Sequence, residues 1–385
     1  MKKIFFVAIA ATLLAAGCQK TEVLNQVNPV DGSAMTFAPG MGKLTKAATN
    51  PSDAGLATLK EQGFHLWAYY VEKDDSRVGA EPNTIYDGMK NIAVTFESEW
   101  STNPIHFWPG KNKALKFFAV SADEEISKGF YGTDDNPNII PDVTETSQNY
   151  GGLTITSFTV KPEDPSSDLM VADYLEQDQD DDLKVALNFR HALSKVEFWF
   201  KNEKAPAKED ETLDPKTQVW VQHVEVKEVA NVGSLTVAKE PNTETGTRFS
   251  WTTSGNANFI AQYSEVQSED DILKDSDYTS TNDADNYATV DKNSFKLPHD
   301  YTKYATWLVI PQNLTANNKT LQVEIVYVIG DRQFVSKFPL ATKTVNAWDP
   351  NQYIKYNINL SPNIIGFNPT VEEWVTDPSN GADIN

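Results

Sequence analysis

The sequence holds a single cysteine, Cys18, in 385 residues. A lone thiol cannot form an intramolecular disulfide or a thiolate cluster for zinc or iron–sulfur binding. Positive charge is also scarce, because 33 Lys and Arg residues face 54 Asp and Glu residues, for a formal net charge of −21. A field of that sign repels phosphate backbones and anionic lipid headgroups. We therefore expect no nucleic-acid partner and no membrane binding through a basic patch.

Catalytic and metal-binding patterns are missing as well. The five histidines lie far apart in the sequence, and no H-E-x-x-H, G-x-S-x-G or P-loop pattern occurs. The acidic stretches 176–182 and 265–293 lack the glycine that closes a Ca²⁺ loop. We therefore predict no cofactor, no metal site and no enzyme activity. A hydrolase built on two suitably spaced carboxylates is the last of the alternatives.

Only one apolar run suggests a targeting segment, and it lies at the N-terminus. Two lysines precede this run, 4–16, and Cys18 follows it closely, which is typical of a signal peptide and too short for a permanent membrane helix. The segment 14–18, LAAGC, resembles the bacterial lipobox, with Ala15 where leucine is usual. The resemblance implies a signal peptide over 1–17 and an outer-membrane lipoprotein at the cell surface, anchored through lipid on Cys18. The alternative is a chance cysteine beside an ordinary cleavage site.

Past the signal segment, apolar and polar residues alternate at period two. The clearest runs lie at 185–189, 196–200, 321–328 and 353–360. Such alternation predicts strands that bury one face against a second sheet. Two further runs, 64–71 and 115–120, are apolar at both odd and even positions. They predict central strands covered on both faces. The sequence therefore predicts an all-β sandwich fold.

The chain is longer than one hydrophobic core usually supports, which is about 250 to 300 residues, so we expect two domains. The most polar interval, 176–182, directly precedes a predicted strand. A boundary there gives an N-terminal β-sandwich domain, 47–182, and a C-terminal β-sandwich domain, 183–385. The interval 265–293 is rich in Ser, Asp, Thr and Asn, and we predict a surface excursion of the second domain for it.

Several short motifs carry a family resemblance. The stretch 168–172, DLMVA, is followed by 185–198, VALNFRHALSKVEF. Together with FWPG at 107–110, LVIPQ at 308–312 and the residues 348–374, they resemble the fimbrillin-like family of lipoprotein pilins, the subunits of type V pili. The resemblance spans nearly the whole chain. It implies two tandem transthyretin-like β-sandwich domains and a structural or adhesive subunit of a surface fimbrium.

The resemblance also implies how such a chain is processed. In the family, a trypsin-like protease removes an N-terminal segment that had served as a strand of the first domain. Here the cut would fall between Lys46 and Ala47, where the family commonly has arginine before alanine. The propeptide would be 18–46, and its strand, residues 34–37, would place Met35 and Phe37 on one face. An Arg-specific protease would leave Lys46 intact, so the alternatives are a Lys-tolerant enzyme or an uncut loop lysine.

Removal of that strand implies an open groove, which a strand of the next subunit fills by β-augmentation in a head-to-tail polymer. The candidate donor is the terminal segment 364–385, where Ile365, Phe367 and Val371 share one parity with Pro369. The other interpretation is that this segment is simply the last strand of its own domain. The sequence does not place the chain among stalk, tip and anchor subunits.

A surface glycan-binding lipoprotein is the alternative function. It would require a cluster of coplanar exposed aromatic rings, whereas we expect most of the nine tryptophans to fill the core. As a pilin, the chain would have four kinds of partner: other pilin subunits, the processing protease, the outer membrane, and a ligand on a host or bacterial surface.

Overall fold

The computed structural model describes residues 33–41, 53–71, 83–109, 113–123, 129–133, 135–162, 168–178, 184–205, 217–243, 246–261, 295–316, 319–329, 332–362 and 364–374. The elements in these ranges are β-strands apart from one helix. This confirms the predicted all-β fold.

The first part of the described chain contains the helix and strands of up to nine residues. In chain order these elements are β1 (Thr36–Phe37), β2 (Gly40–Met41), α1 (Asp53–Gln62), β3 (Phe64–Tyr70), β4 (Ile92–Phe96), β5 (Trp100–Thr102), β6 (Ala114–Ala122), β7 (Ile139–Pro141), β8 (Leu153–Thr159), β9 (Leu169–Ala172), β10 (Leu175–Asp178), β11 (Lys184–Val185) and β12 (Asn188–His191).

The second part contains the longest strands. They are β13 (Ser194–Lys201), β14 (Val219–Val237), β15 (Phe249–Ile260), β16 (Phe295–Lys296), β17 (Thr302–Val309), β18 (Gln312–Asn313), β19 (Thr315–Ala316), β20 (Lys319–Thr320), β21 (Gln322–Ile329), β22 (Arg332–Pro339), β23 (Ala347–Trp348), β24 (Gln352–Ser361) and β25 (Ile364–Glu373).

The first sheet is eight-stranded, with the order β2-β12-β9-β6-β3-β4-β5 and with β10 paired to the beginning of β6. Its central strands β3 and β6 are buried on both faces. Leu66 and Phe117 point into one hydrophobic core, whereas Trp67 and Phe118 point into a second. The prediction that these two strands are covered on each face is therefore confirmed.

The longest strand, β14, runs through both halves of the molecule over 19 residues. Its first half pairs with β21, its second half pairs with β8, and β15 runs beside it. The ladder with β15 shifts register around Glu228, whose φ is +59°. Such bulges let one long strand bend while it stays paired. A single strand therefore joins β7 and β8 to β21 and β22, which lie far apart in the sequence, in one seven-stranded sheet.

A four-stranded sheet, ordered β17-β13-β24-β25, packs against that long sheet. Val196, Phe198 and Phe200 of β13 are fully buried, as the alternation of the sequence predicts. The ring of Phe198 lies 4.8 Å from that of Trp307. These side chains belong to the second core, which joins faces of all three large sheets.

Strand pairing does not follow the boundary predicted between residues 182 and 183. β12 lies after that point in the sequence but pairs with β9 in the first sheet. β8 lies before it but pairs with the second half of β14. The acidic run has the composition of a linker, whereas the partner of each strand is decided by residues far away in the chain. A cut at 182 would separate hydrogen-bonded strands, so the structure favours moving the boundary, and the two-domain division stays a prediction.

The helix α1 is not anticipated by the alternation in the sequence. It buries Leu59 completely and ends at Gln62. Gly63 follows, with a φ of +69° and an N–H that donates to the Leu59 carbonyl at 2.8 Å. Glycine is suited to this left-handed terminal position because it has no Cβ. A Cβ on Gly63 would lie 2.8 Å from the carbonyl oxygen of Val94. Within the described ranges, no helix has the length and apolar character needed to cross a membrane.

Candidate strand groove

Residues 33–41, here called the N-terminal strand, lie extended in the first hydrophobic core. The side chains of Met35, Phe37, Pro39 and Met41 are buried, while the residues between them are half-buried or exposed. Burial at every second residue means that one face of the strand is inserted and the other is turned outward. The segment therefore fills a groove from Met35 to Met41, and Ser33 and Ala34 before it are exposed.

The beginning of the N-terminal strand is paired on one side with the loop that precedes β6. Met35 N–H donates to the carbonyl oxygen of His106 at 2.9 Å, and Trp108 N–H donates to the carbonyl oxygen of Ser33 at 3.0 Å. This pairing is antiparallel.

The rest of the N-terminal strand is paired with the chain on its other side. β1 runs parallel to β11, and β2 runs parallel to β12. Ala38 N–H donates to the carbonyl oxygen of Val185 at 2.9 Å, and Gly40 N–H donates to that of Leu187 at 2.8 Å. The strand is thus held by backbone bonds to two separate parts of the chain.

Aromatic rings and aliphatic side chains line the groove. Phe37 meets Phe64 edge-on with ring centroids 6.2 Å apart, and Phe64 lies 5.2 Å from Phe189. Other buried members of this core are Leu59, Trp100, Trp108, Val185 and Leu187. Burying a large apolar side chain stabilises a fold by about 1.5–3 kcal/mol. An empty groove would therefore expose a costly apolar surface.

An ionic brace stabilises the wall of the groove formed by β12. Arg190 on β12 donates to Asp173 from Nε at 2.9 Å and from Nη2 at 3.0 Å, and Arg248 donates to the same carboxylate. Burial alone would raise the pKa of Asp173, but the hydrogen bond from Arg190 and the charge of Arg248 outweigh it and hold this pKa below its usual value. The brace joins the first sheet to Arg248, the residue that directly precedes β15.

The C-terminal strand, β25, forms the edge of the four-stranded sheet and pairs antiparallel with β24. Ile365 and Val371 are 50% and 39% exposed. The half-buried Phe367 stacks on Phe338 and Tyr356 with centroid distances of 5.3 and 5.4 Å. The strand is therefore attached on one edge and leaves much of its apolar surface in water.

The residue just after this strand attaches it to the first sheet. Trp374 stacks on His191 with centroids 3.7 Å apart and planes at 8°. His191 Nδ1 lies 2.7 Å from Asp168 Oδ2, with both side chains buried. The Trp374 N–H donates to the carbonyl oxygen of Asn351 at 2.9 Å. These contacts fix the end of β25 beside β12.

The residues singled out from the sequence lie in two places. Met35 and Phe37 lie in the groove of the first core, whereas Ile365, Phe367 and Val371 lie on the C-terminal strand at the edge of another sheet. The structure therefore does not bring the two sets together within one chain. Their assignment as propeptide strand and donor strand stays a prediction.

The remaining predicted positions, Cys18, Lys46 and Ala47, lie outside the described residues, as does the interval 265–293.

The strand predicted from the sequence, 34–37, is too short. The structure continues it through Pro39 and Met41, which are also buried. The alternation that signals this continuation is present in the sequence, but Pro39 and Gly40 have the composition of a turn. Trp374 is one of the nine tryptophans, most of which we expect in the core, and that expectation does not include its contacts at the end of β25.

A second groove, of about 920 Å³, lies beside β15 and β23. Its two tryptophans, Trp251 and Trp348, use their indole N–H groups for hydrogen bonds within the protein, and Trp348 is fully buried. Among the described residues, the large exposed aromatic side chains are Tyr301, which directly precedes β17 of the four-stranded sheet, and Phe334, which lies on β22 of the seven-stranded sheet. This arrangement gives no support to glycan binding by stacking. Across all the residues that the structure describes, no three His, Cys, Asp or Glu side chains are grouped to hold a metal ion.

The fold and the groove define an all-β protein whose first sheet is completed by its own inserted N-terminal strand. The chain belongs to the fimbrillin-like family, whose sequence pattern matches residues 45–374. The N-terminal strand precedes the matched range.

The chain is also similar to individual proteins. The fimbrium subunit Fim1C of Phocaeicola vulgatus is 27% identical over 225 residues, which are 55% of this chain and 53% of that protein. The chain thus spans about half the length of the curated relative it matches. A fimbrial protein from Bacteroides vulgatus has a TM-score of 0.51 at 19% identity, over 89% of this chain and 99% of that one, and supports the fold. A cell adhesion protein from Bacteroides uniformis has a TM-score of 0.42 at 14% identity, over 89% and 99%.

Proposed function

We propose that this protein is a structural subunit or adhesin of a surface pilus. It is exported as an outer-membrane lipoprotein through Cys18 and assembled by proteolysis-triggered donor-strand exchange. Family membership and the fimbrium-subunit relative support the first part of this proposal. The observation that carries the second part is the N-terminal strand, which is inserted at every second residue and precedes the candidate cut at Lys46.

A cut between Lys46 and Ala47 would leave the N-terminal strand bound by noncovalent contacts alone. Its departure would leave backbone groups without partners, among them the carbonyl oxygens of Val185 and Leu187. A buried polar group that loses its partner costs about 1–3 kcal/mol. Together with the exposed apolar wall, these groups give a strong driving force for another strand to enter.

The strand that enters would come from a second copy of the chain. A β-strand supplies both the N–H donors and the alternating side chains that the groove requires. Because the donor and the groove are different parts of the chain, the contact is heterologous and repeats head to tail, giving an open filament. The partners are therefore other pilin subunits, and the processing enzyme is a trypsin-like protease that accepts lysine.

Limited trypsin treatment of the purified full chain tests the assembly mechanism. We expect a new N-terminus at Ala47, followed by a ladder of oligomers that resists detergent. The matched control is Lys46→Gln, which should remain uncut at this position and monomeric. Oligomers that form from the uncut control, or a protein cut at Ala47 that stays monomeric, would contradict donor-strand exchange.

Metabolic labelling with a fatty acid tests the lipoprotein step separately. We expect the label on the wild-type precursor and its loss in Cys18→Ser. After the cut, the label should leave with the N-terminal fragment. A precursor that is exported but carries no label would contradict the assignment of Cys18.

A further inference from the structure

The N-terminal strand and the C-terminal strand share a seven-residue pattern. Residues 35–41 read MTFAPGM, and residues 365–371 read IGFNPTV. Both have an apolar residue at the first and last positions, phenylalanine at the third and proline at the fifth. The two segments lie at opposite ends of the described chain and in different sheets.

The shared positions are those that the groove buries. In the N-terminal strand the first, third, fifth and seventh residues of the pattern are buried. Ile365, Phe367, Pro369 and Val371 occupy the same places in the C-terminal strand. There they are exposed or half-buried. The C-terminal strand therefore carries the side chains that the groove accepts, without using their full burial in its own sheet.

The proline also has the same relation to the backbone bonds. Ala38 N–H and Gly40 N–H donate to the β11–β12 chain, so the residue between them has no donor role on that side. Pro39 occupies that position, where its missing N–H costs nothing. Asn368 and Thr370 flank Pro369 in the same way and carry the N–H groups that would be needed.

We propose that the C-terminal strand of one copy enters the vacated groove of another in a single register, an inference that rests on the proposed function. Ile365, Phe367, Pro369 and Val371 take the places of the four buried residues of the N-terminal strand, in order. A shift of one residue would turn the apolar side chains outward. A shift of two would keep the parity but would place Phe367 at a site shaped by methionine or proline.

Engineered disulfides can measure this register. Thr36 and Lys184 are Cα partners in the structure, so in the proposed register Gly366 of the donor lies opposite Lys184. Neighbouring strands lie about 4.8 Å apart, within the usual range of Cα separations for a disulfide. A shift of two residues adds about 6.6 Å along the strand and brings the separation to roughly 8 Å, outside that range.

The test uses the full chain with Cys18→Ser, cut with trypsin and then oxidised. Two variants are compared, Lys184→Cys with Gly366→Cys and Lys184→Cys with Asn368→Cys, which differ by a two-residue step on one face. We expect a covalent ladder on non-reducing gels from the first and loss of that ladder in the second. As a positive control, Thr36→Cys with Lys184→Cys should form an intrachain disulfide in the uncut protein.

The outcomes separate the register from the mechanism. If the cysteine-free chain does not assemble after the cut, the proposed function fails. If it assembles, a ladder from the Asn368 variant, equal ladders from both, or a ladder from neither would overturn the register.

Discussion

The two strands at the ends of the described chain share a sequence pattern but differ in burial. Met35, Phe37 and Met41 are 5%, 5% and 7% exposed, whereas Ile365 and Val371 are 50% and 39% exposed. The N-terminal strand has backbone partners on both sides, and the C-terminal strand pairs only with β24 in its sheet. The pattern determines which side chains share a face, and the neighbours determine how far that face is buried.

This difference sets a direction for exchange. Apolar surface that the C-terminal strand leaves in water at the edge of its own sheet would be buried in the groove of another copy. Burial of apolar area is favourable by about 25 cal/mol per Å². Under the proposed function, exchange would therefore be favoured once the N-terminal strand has left, and it would be blocked while that strand stays covalently attached.

The largest expected effect is that of removing the aromatic ring from the groove. In the uncut chain, Phe37→Ala should lower the free energy of unfolding by about 3–5 kcal/mol, as for other buried phenylalanines. The matched variant Phe367→Ala removes the same ring from a half-buried site and should cost about 1–2 kcal/mol. Urea unfolding followed by tryptophan fluorescence measures both. Equal costs would show that the two strands are equally secured.

The next effect concerns the end of the C-terminal strand. Trp374→Ala removes the ring stacked on His191 and should cost about 2–3 kcal/mol, below the value for a central core position because the ring lies at the end of a strand. Hydrogen exchange should speed up in β25 and stay unchanged in the N-terminal strand. Trp374→Phe, which keeps a stacked ring, should recover most of the protection. Faster exchange in the N-terminal strand would show that its attachment depends on Trp374, contrary to this prediction.

Much of the fold follows from local alternation. The runs at 64–71 and 115–120 are apolar at both odd and even positions and predict strands covered on both faces. Leu66 and Trp67 do point into different cores. Period-two patterning is a local property, so a sequence displays it directly. The helix Asp53–Gln62 was missed because it is short and its apolar residues are few.

The domain boundary and the extent of the groove could not be obtained in that way. β14 selects β8 and β21 as partners across long stretches of sequence, and no local pattern identifies such a partner. The prediction ends the N-terminal strand too soon, at Phe37, because Pro39 and Gly40 usually indicate a turn. Here the proline fits because its position needs no N–H donor, a condition that only the surrounding strands impose.

A pH-dependent effect is expected at the groove and not at the edge strand. The pKa of Asp173 is lowered in the folded state, so the stability it contributes is present above its unfolded pKa of about 3.9 and is lost as pH falls through the folded value. Asp173→Asn should cost about 1–2 kcal/mol at pH 7. The difference from wild type should vanish under strongly acidic conditions.

Urea midpoints across a pH series measure this dependence. The control is Asp300→Asn, which changes the net charge equally at an exposed position and should leave the acid dependence as in wild type. Hydrogen exchange at low pH should show the N-terminal strand losing protection before β25 does. A constant difference between Asp173→Asn and wild type at every pH would contradict the brace.

The smallest expected effect is that of a solvent-accessible ion pair between β21 and β22, the strand whose Phe338 contacts the C-terminal strand. Lys337 on β22 lies 2.7 Å from Glu324, and its hydrogen bond is the main cause of the lowered pKa of Glu324. Exposed ion pairs contribute about 0–1 kcal/mol and are screened by salt. Lys337→Ala should therefore change the free energy of unfolding by less than about 0.5 kcal/mol, no more than the exposed control Lys343→Ala.

Thermal unfolding at low and high salt measures this last effect, which should shrink further at high salt. The neighbouring residue Phe338 stacks on Phe367, so the same edge offers a direct comparison of charge with apolar contact. Phe338→Ala should weaken the attachment of β25 more than Lys337→Ala does. If the lysine variant had the larger effect, charge rather than apolar burial would attach the C-terminal strand. The difference in burial between the N-terminal and C-terminal strands would then not explain how firmly each is attached.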